Sequence, residues 1–306
     1  MDCMDEWEKQ DTRLSTQHSA PSTQHTFDLF LADAQRDFSG WDFAYITATD
    51  RMVEAPLPWS YASVLLPWLR RAASALDMGT GGGELLSRLA PFPPDMHATE
   101  GWAPNVPVAR ARLEPFGVTV HAFAEETDPL PFEDERFDLV INRHEAYDPA
   151  EVLRVLRPGG RFITQQVGGD SYRDLPRLLG APEHTEFAHW TLDFAAGQLR
   201  AAGFTLRDAR EASAPTRYYD IGAIVYYLRA IPWEIPDFSV ARYRDALYAL
   251  HERITADGYV DIESQRILIV ATKPLNKRSA CNPCPMIGNA DPSRGSTRRR
   301  LRATIE

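Results

Sequence analysis

Leu76-Asp77-Met78-Gly79-Thr80-Gly81-Gly82-Gly83-Glu84 is the stretch that decides the fold. A short apolar run, Ala73 to Met78, ends in glycines, and Glu84 to Leu89 resumes helical spacing, so a strand, a glycine turn and a helix follow in order. Glycine at such a turn lets the backbone approach a ligand, and the free N–H groups of the next helix point at it. The dinucleotide fingerprint G-x-G-x-x-G needs a glycine at its sixth position. Counting from Gly79 the sixth residue is Glu84 and the nearest glycine, Gly83, is fifth, which disfavours NAD.

Outward from the turn the same alternation repeats. Strands are expected at Met96 to Glu100, Val118 to Ala122, Phe137 to Asn142 and Arg161 to Val167, with helices at Asn105 to Leu113 and Pro149 to Leu156. Arg157-Pro158-Gly159-Gly160 reads as the stop of the last of these helices. The reading is an α/β fold, a doubly wound Rossmann-like sheet, mostly parallel, with helices on both faces and ligands outside the carboxyl ends of its strands. Further on come a helix at Leu192 to Ala202, a strand at Phe204 to Arg210, helices at Asp220 to Ala230 and Val240 to Ile254, and a last strand at Gln265 to Thr272. Upstream, Phe27, Phe30, Leu31, Ala34 and Phe38 recur at helical spacing, and Ser60 to Ala73 reads as a second helix despite Pro67. The chain thus divides into a disordered leader (1–25), an N-terminal helical cap (26–72), the α/β domain (73–274) with an aromatic insertion at about 211–258, and a basic disordered tail (275–306).

Composition narrows the function classes. The 306 residues are 44% apolar and 25% charged, ordinary for a globular protein, and the longest weakly charged apolar run, Ile221 to Leu228, is far shorter than a bilayer needs. An acidic N-terminus without an apolar core and only three cysteines, all outside the region read as folded, lead us to expect a cytoplasmic protein with no disulfide framework and no membrane partner. Net charge is −10; the segment Leu275 to Glu306 holds seven basic and two acidic residues, +5, which leaves −15 on the body. Such a body repels phosphate backbones, so nucleic acid is a disfavoured partner. Cys281-Asn282-Pro283-Cys284 has the spacing of half a zinc site, but no second half accompanies it, and no metal is expected.

Taken together, the glycine stretch, Leu130-Pro131-Phe132, Phe137-Asp138-Leu139-Val140 and Val155-Leu156-Arg157-Pro158-Gly159-Gly160 resemble the ordered motifs of the class I S-adenosylmethionine-dependent methyltransferases, of small-molecule type with a methyltransferase type 11-like core. The resemblance spans Leu76 to Val167 and implies a seven-stranded sheet whose last strand is antiparallel. It implies S-adenosylmethionine as cofactor, with Gly79, Gly81 and Gly83 wrapping the methionine moiety, Asp77 facing its ammonium, and Glu100, 23 residues on, accepting from the ribose hydroxyls. A carboxylate suits the last task because it only accepts, and its two oxygens meet two adjacent hydroxyls. Where the family often places an acid before Ala-Glu to receive the adenine amino group, this chain has Phe123 before Ala124-Glu125-Glu126. Glu125 is the candidate adenine contact, with Trp102 as a stacking face. Asn142, at the end of the fourth strand, completes the cofactor-binding set.

Asn142-Arg143-His144-Glu145 follows that strand at the end where this architecture places ligands. His144 is the candidate catalytic base, with Glu145 or a carbonyl orienting its ring, because imidazole changes charge near neutrality. Gln165 and Gln166, ending the next strand, are the candidate acceptor-orienting pair. The expected reaction moves a methyl group from S-adenosylmethionine to an O, N or C atom of a small-molecule acceptor. RNA methylation, with the basic tail as anchor, and cofactor binding without chemistry are the rival readings. The acceptor's identity and the oligomeric state are not legible.

Overall fold

In chain order the elements are α1 (Thr23–Asp33), α2 (Ala44–Thr47), β1 (Met52–Glu54), α3 (Tyr61–Leu69), β2 (Ser74–Met78), α4 (Glu84–Ser87), β3 (Asp95–Glu100), α5 (Asn105–Leu113), β4 (Val118–Ala122) and β5 (Phe137–Arg143). They continue with α6 (Pro149–Val155), β6 (Leu156–Val167), α7 (Asp174–Leu179), α8 (Leu192–Ala202), β7 (Thr205–Tyr218), α9 (Ile221–Ala230), α10 (Arg244–Asp257) and β8 (Val260–Thr272). The computed structural model describes residues 22–39, 41–123, 129–183 and 185–275. The chain divides into two compact units, Met1–Pro274 and Leu275–Glu306, and all of these elements belong to the first. Glu125, the Cys281/Cys284 pair and the arginine-rich tail lie outside the described residues.

Among the described residues one sheet holds eight strands in the order β1-β7-β8-β6-β5-β2-β3-β4. The run β6-β5-β2-β3-β4 is parallel, while β8 lies antiparallel between β6 and β7, and β1 antiparallel on β7. The strand beyond the seven implied by the family resemblance is β1, three residues inside the segment read as an N-terminal helical cap. It exists because the edge of β7 offers it a ladder: Met52, Val53 and Glu54 face Tyr218, Arg217 and Thr216.

Polar caps and left-handed stops set the helix ends. Ser22, Ser60, Asp148, Thr191 and Asp220 each accept a backbone N–H at the start of α1, α3, α6, α8 and α9, and Gly180, Gly203 and Gly258 end α7, α8 and α10 in the left-handed region. One face of the parallel sheet packs on α3, α4 and α5 through Leu65, Leu69, Leu86, Ala109 and Leu113, and the other on α6 and α8 through Val152, Val155, Ala195 and Leu199. A third cluster joins α1, α7, α9 and α10 around Phe27, Ile224, Leu247 and Tyr218. It covers the part of β7 and β8 that runs on beyond β6.

Among the boundaries that differ from the sequence reading, three are large or change an assignment. Arg157 to Gly160 does not turn between helix and strand but belongs to β6, where Gly159 takes φ +83° and its N–H donates to the carbonyl of Lys273. β7 and β8 extend to Tyr218 and back to Val260, so most of the segment expected as insertion before Tyr218 is paired strand. α1 begins at Thr23, inside the span assigned to the leader.

Candidate functional site

Strand order reverses between β2 and β5: the chain leaves β2 toward β3 and β4, then returns to β2's other side as β5. The crevice at that switch point opens outside the carboxyl ends of the strands, and the glycine turn lies in it. Thr80 N–H donates to the Thr99 carbonyl (2.9 Å) and Gly83 N–H to the Thr80 carbonyl (3.0 Å), which ties the turn to β3. Gly79, Gly81 and Gly83 have φ of +65°, +63° and +78°. A Cβ on Gly79 would strike the Glu145 side chain at 2.3 Å, and one on Gly81 would strike the Trp41 ring at 2.7 Å. The turn is therefore closely covered, by an acid from the loop after β5 and by an indole from the N-terminal cap. Trp41 in turn meets Trp233 edge-on at 5.8 Å.

Three carboxylates converge on this turn. Asp77, the penultimate residue of β2, is 9% exposed, and burial, reinforced by the negative charge of Glu100, pushes its pKa up to about 7 against the pull of Thr80 and Arg143. Glu100 is 4% exposed; its Oε1 accepts from Trp102 N–H (2.8 Å), and burial raises its pKa while the N–H groups of Trp102 and Gly81 oppose the rise. Glu145 is half-buried, and burial with the charge of Glu100 lifts it to about 7. Gathering three acids with Arg143 acting on Asp77 alone is unfavourable, and a bound cation relieves it. The same three acids repel a pyrophosphate.

Asn142 is fully buried at the end of β5. Its Oδ1 accepts from Thr164 Oγ1 (3.0 Å) and Gln166 Nε2 (2.5 Å), while its Nδ2 has no acceptor among the described residues. Gln166 also donates to the Glu145 carbonyl (3.1 Å), so it is spent on the loop that carries Glu145. Gln165 points to the opposite face, as alternation along a strand requires. Its Oε1 accepts from Trp59 Nε1 (2.9 Å), and it sits beside Arg143 in the ladder between β5 and β6. The two glutamines expected to act together thus lie on different sides of the sheet.

His144 adopts φ +64°, and its N–H donates to the Gln165 carbonyl (2.9 Å). Arg143 and His144 are both exposed to solvent at the carboxyl end of β5. Burial, aided by the charges of Arg143 and Arg266, holds the His144 imidazole well below its usual pKa and therefore neutral at pH 7. Glu145 does not orient its ring among the described residues; it turns to Gly79 instead. Trp102 is exposed beside Glu100 and borders a hollow lined by Gly101, Ala103, Ala122 and Phe123. Of the insertion aromatics, Tyr218, Tyr226 and Tyr227 are core, whereas Tyr219 and Trp233 are exposed.

Several site residues were not singled out from the sequence. Trp41, Glu54 and Trp59 come from the part of the N-terminal cap between α1 and α3, and Arg266 from the middle of the last strand. An arginine flanked by strand residues was the one available signal for Arg266.

Comparison with known proteins agrees with this geometry. Residues 76–164 match the family model described as a methyltransferase domain. A ubiquinone biosynthesis O-methyltransferase of Cereibacter sphaeroides is 32% identical over 140 residues, 43% of this chain and 52% of that protein. An uncharacterized methyltransferase of Mycobacterium tuberculosis is 39% identical over 111 residues, 34% of this chain and 44% of that protein. The chain spans about half the length of the curated relatives it matches. The YcgJ protein of Bacillus subtilis shares the fold, with a TM-score of 0.50 at 19% identity over 70% of this chain and 98% of that one. No helix among the described residues is long and apolar enough to cross a membrane.

Proposed function

We propose, from the premise that residues 76–164 are a class I S-adenosylmethionine-dependent methyltransferase domain, that this chain transfers the methyl group of S-adenosylmethionine to a nucleophilic O, N or C atom of a small-molecule acceptor. The observation that carries the reading is the set of acids at a glycine turn on the switch point. S-adenosylmethionine brings an ammonium and a sulfonium, and its adjacent ribose hydroxyls are donors, so it meets Asp77, Glu100 and Glu145 with the complementary chemistry. When bound, it supplies a methyl group already activated by positive sulfur.

The chain's own residues then have modest tasks. Asp77 and Glu145 hold the cationic end, Glu100 holds the ribose, and Gly79, Gly81 and Gly83 permit the close approach. Asn142 keeps a donor free at the end of β5, and Trp41, met edge-on by Trp233, stands over the turn. Held there, the donor would supply its methyl group to the acceptor and keep the bonding pair on sulfur, and a protic acceptor would give up one proton. We assign that proton to neutral His144, which follows β5. Alignment and water exclusion carry most of the catalysis.

Calorimetry with S-adenosylmethionine, S-adenosylhomocysteine and NAD tests the binding half, and binding of the first two without the third is the expected result. Incubating a metabolite extract with methyl-labelled donor and reading products by mass spectrometry tests the transfer. Binding without any labelled product would leave a holder of the cofactor in place of an enzyme.

A further inference from the structure

Beyond the glycine turn, on the face of the sheet that carries Asp77 and Gln165, lies a group of polar side chains that the cofactor does not use. Arg143 ends β5 there. Its guanidinium has no hydrogen bond or ion pair among the described residues, and burial lowers its pKa. Around it stand Glu54 from β1, Tyr61 from α3, Asp77 from β2 and Arg266 from β8. Next to it in the ladder, Gln165 uses its Oε1 on Trp59 and leaves Nε2 without a protein acceptor among the described residues.

Farther along the same face, β7 and β8 run past the end of β6 and continue the wall. Arg266 is 7% exposed and donates to Glu54 Oε1 (3.2 Å), the Gln265 carbonyl (3.1 Å), Tyr172 OH (3.4 Å) and Ser264 Oγ. Tyr218 and Thr216, two residues apart on β7 and facing the same side, are 0% and 1% exposed, yet neither hydroxyl has a partner among the described residues. Tyr218 feels the charges of Glu54, Arg266 and Glu234. Unpaired hydroxyls at that depth are costly unless something else bonds them.

The charges of this wall sum simply. Glu54 balances Arg266, and Asp77 belongs to the ammonium side. Glu234, on the Tyr218 side, is pushed by burial to about 7, so at neutral pH much of it is uncharged. One positive charge, on Arg143, is left facing the crevice. Aromatic rings flank it: Trp59, Tyr61 and, farther in, Tyr172 and Tyr227 with centroids 5.3 Å apart.

We propose that this wall is the acceptor subsite and that it takes a small carboxylic acid with a flat apolar body, its carboxylate on Arg143 and Gln165 Nε2. The inference rests on the methyl-transfer reading for the word acceptor, and on the geometry alone for the carboxylate. A guanidinium with a neighbouring amide donor matches the two oxygens of a carboxylate in charge and in number. Fixing the acid at this end leaves the rest of the molecule to face the glycine turn.

Benzoate and its neutral isostere benzamide are the probes, followed by saturation-transfer NMR on the full chain with and without S-adenosylhomocysteine. Benzoate should bind at least tenfold more tightly than benzamide. Arg143→Gln should erase the preference and Arg143→Lys should keep most of it, with circular dichroism confirming that both variants fold. Equal binding of acid and amide, binding of neither, or a preference that survives Arg143→Gln overturns the proposal. The nucleoside arm reads the other hypothesis separately. A benzoate preference without S-adenosylhomocysteine binding would keep the carboxylate site and refute methyl transfer, whereas nucleoside binding without the preference would do the reverse.

Discussion

Replacing Asp77 by Asn should make the ligand-free protein more stable and its cofactor binding worse. Asp77 is 9% exposed, and its pKa is raised from 3.8 to about 7, chiefly by burial. At about 1.36 kcal/mol for each unit of pKa, the ionised carboxylate costs the folded state about 4 kcal/mol once it has lost its proton. A folded-state pKa above the unfolded one means that stability is fully present below about pH 4 and is lost as the pH rises through about 7. Asparagine never ionises, so the variant should gain about 3 to 4 kcal/mol over the parent at pH 8, with the gain fading toward zero near pH 4. The same change removes the partner of the ammonium and should weaken S-adenosylmethionine about tenfold or more, since a hydrogen bond to a charged group contributes ~1.5 to 3 kcal/mol. Urea unfolding at pH 5, 6.5 and 8, with calorimetry at pH 8, measures both. An asparagine variant no more stable than the parent at pH 8, or a gain constant from pH 8 to pH 5, would show that water reaches this carboxylate and refute the reasoning from burial.

Glu100→Gln keeps an oxygen for Trp102 N–H but drops the charge, so cofactor affinity should fall ~10-fold or more with little change in melting temperature; unchanged affinity in calorimetry removes the ribose role. Gly81→Val forces a branched side chain into φ +63° against Trp41 and should abolish cofactor binding while leaving the circular dichroism spectrum folded. A melted spectrum would assign the glycine to structure instead. His144→Asn tolerates the left-handed backbone better than alanine would, and should lower turnover by ~10² or more with cofactor affinity nearly unchanged. Because His144 is held neutral at pH 7, wild-type turnover should show no histidine ionisation between pH 6 and 8; a clear one there would contradict the lowered pKa.

The parallel half of the fold was legible because its signals are local. Asn105–Leu113 and Val118–Ala122 fall where periodicity put them, and Ser74–Met78 and Phe137–Arg143 differ from the reading by one residue, since each is a run of apolar residues bounded by glycine, proline or charge. The antiparallel edge was harder. β1 has only three residues and no pattern of its own; it is a strand because β7 is beside it. β7 reads TLRDAREASAPTRY, with polar residues and Pro215 throughout, and is held by thirteen register pairs with β8 in place of apolar alternation. Tertiary pairing overrides propensity in such segments.

The site shows the same division, and charge explains it. On the acidic side of the crevice, Asp77, Glu100 and the glycines sit within 25 residues of a motif whose spacing announces a ligand, and Glu145 joins them from the loop after β5. The basic side is assembled from β5, β6, β8 and β1, and no spacing links Arg143 to Arg266 across 123 residues or to Glu54 upstream. Once the ladder brings Arg143 beside Gln165, and Arg266 two positions beyond Gln165's own partner Leu268, the crevice has one negative wall and one positive wall. On the proposed reading, a cationic methyl donor and an anionic acceptor would each be drawn to a different wall. With both bound, each wall's surplus charge would be offset and the two ligands would meet between them, so recognition of either one would already order the pair along the line of transfer.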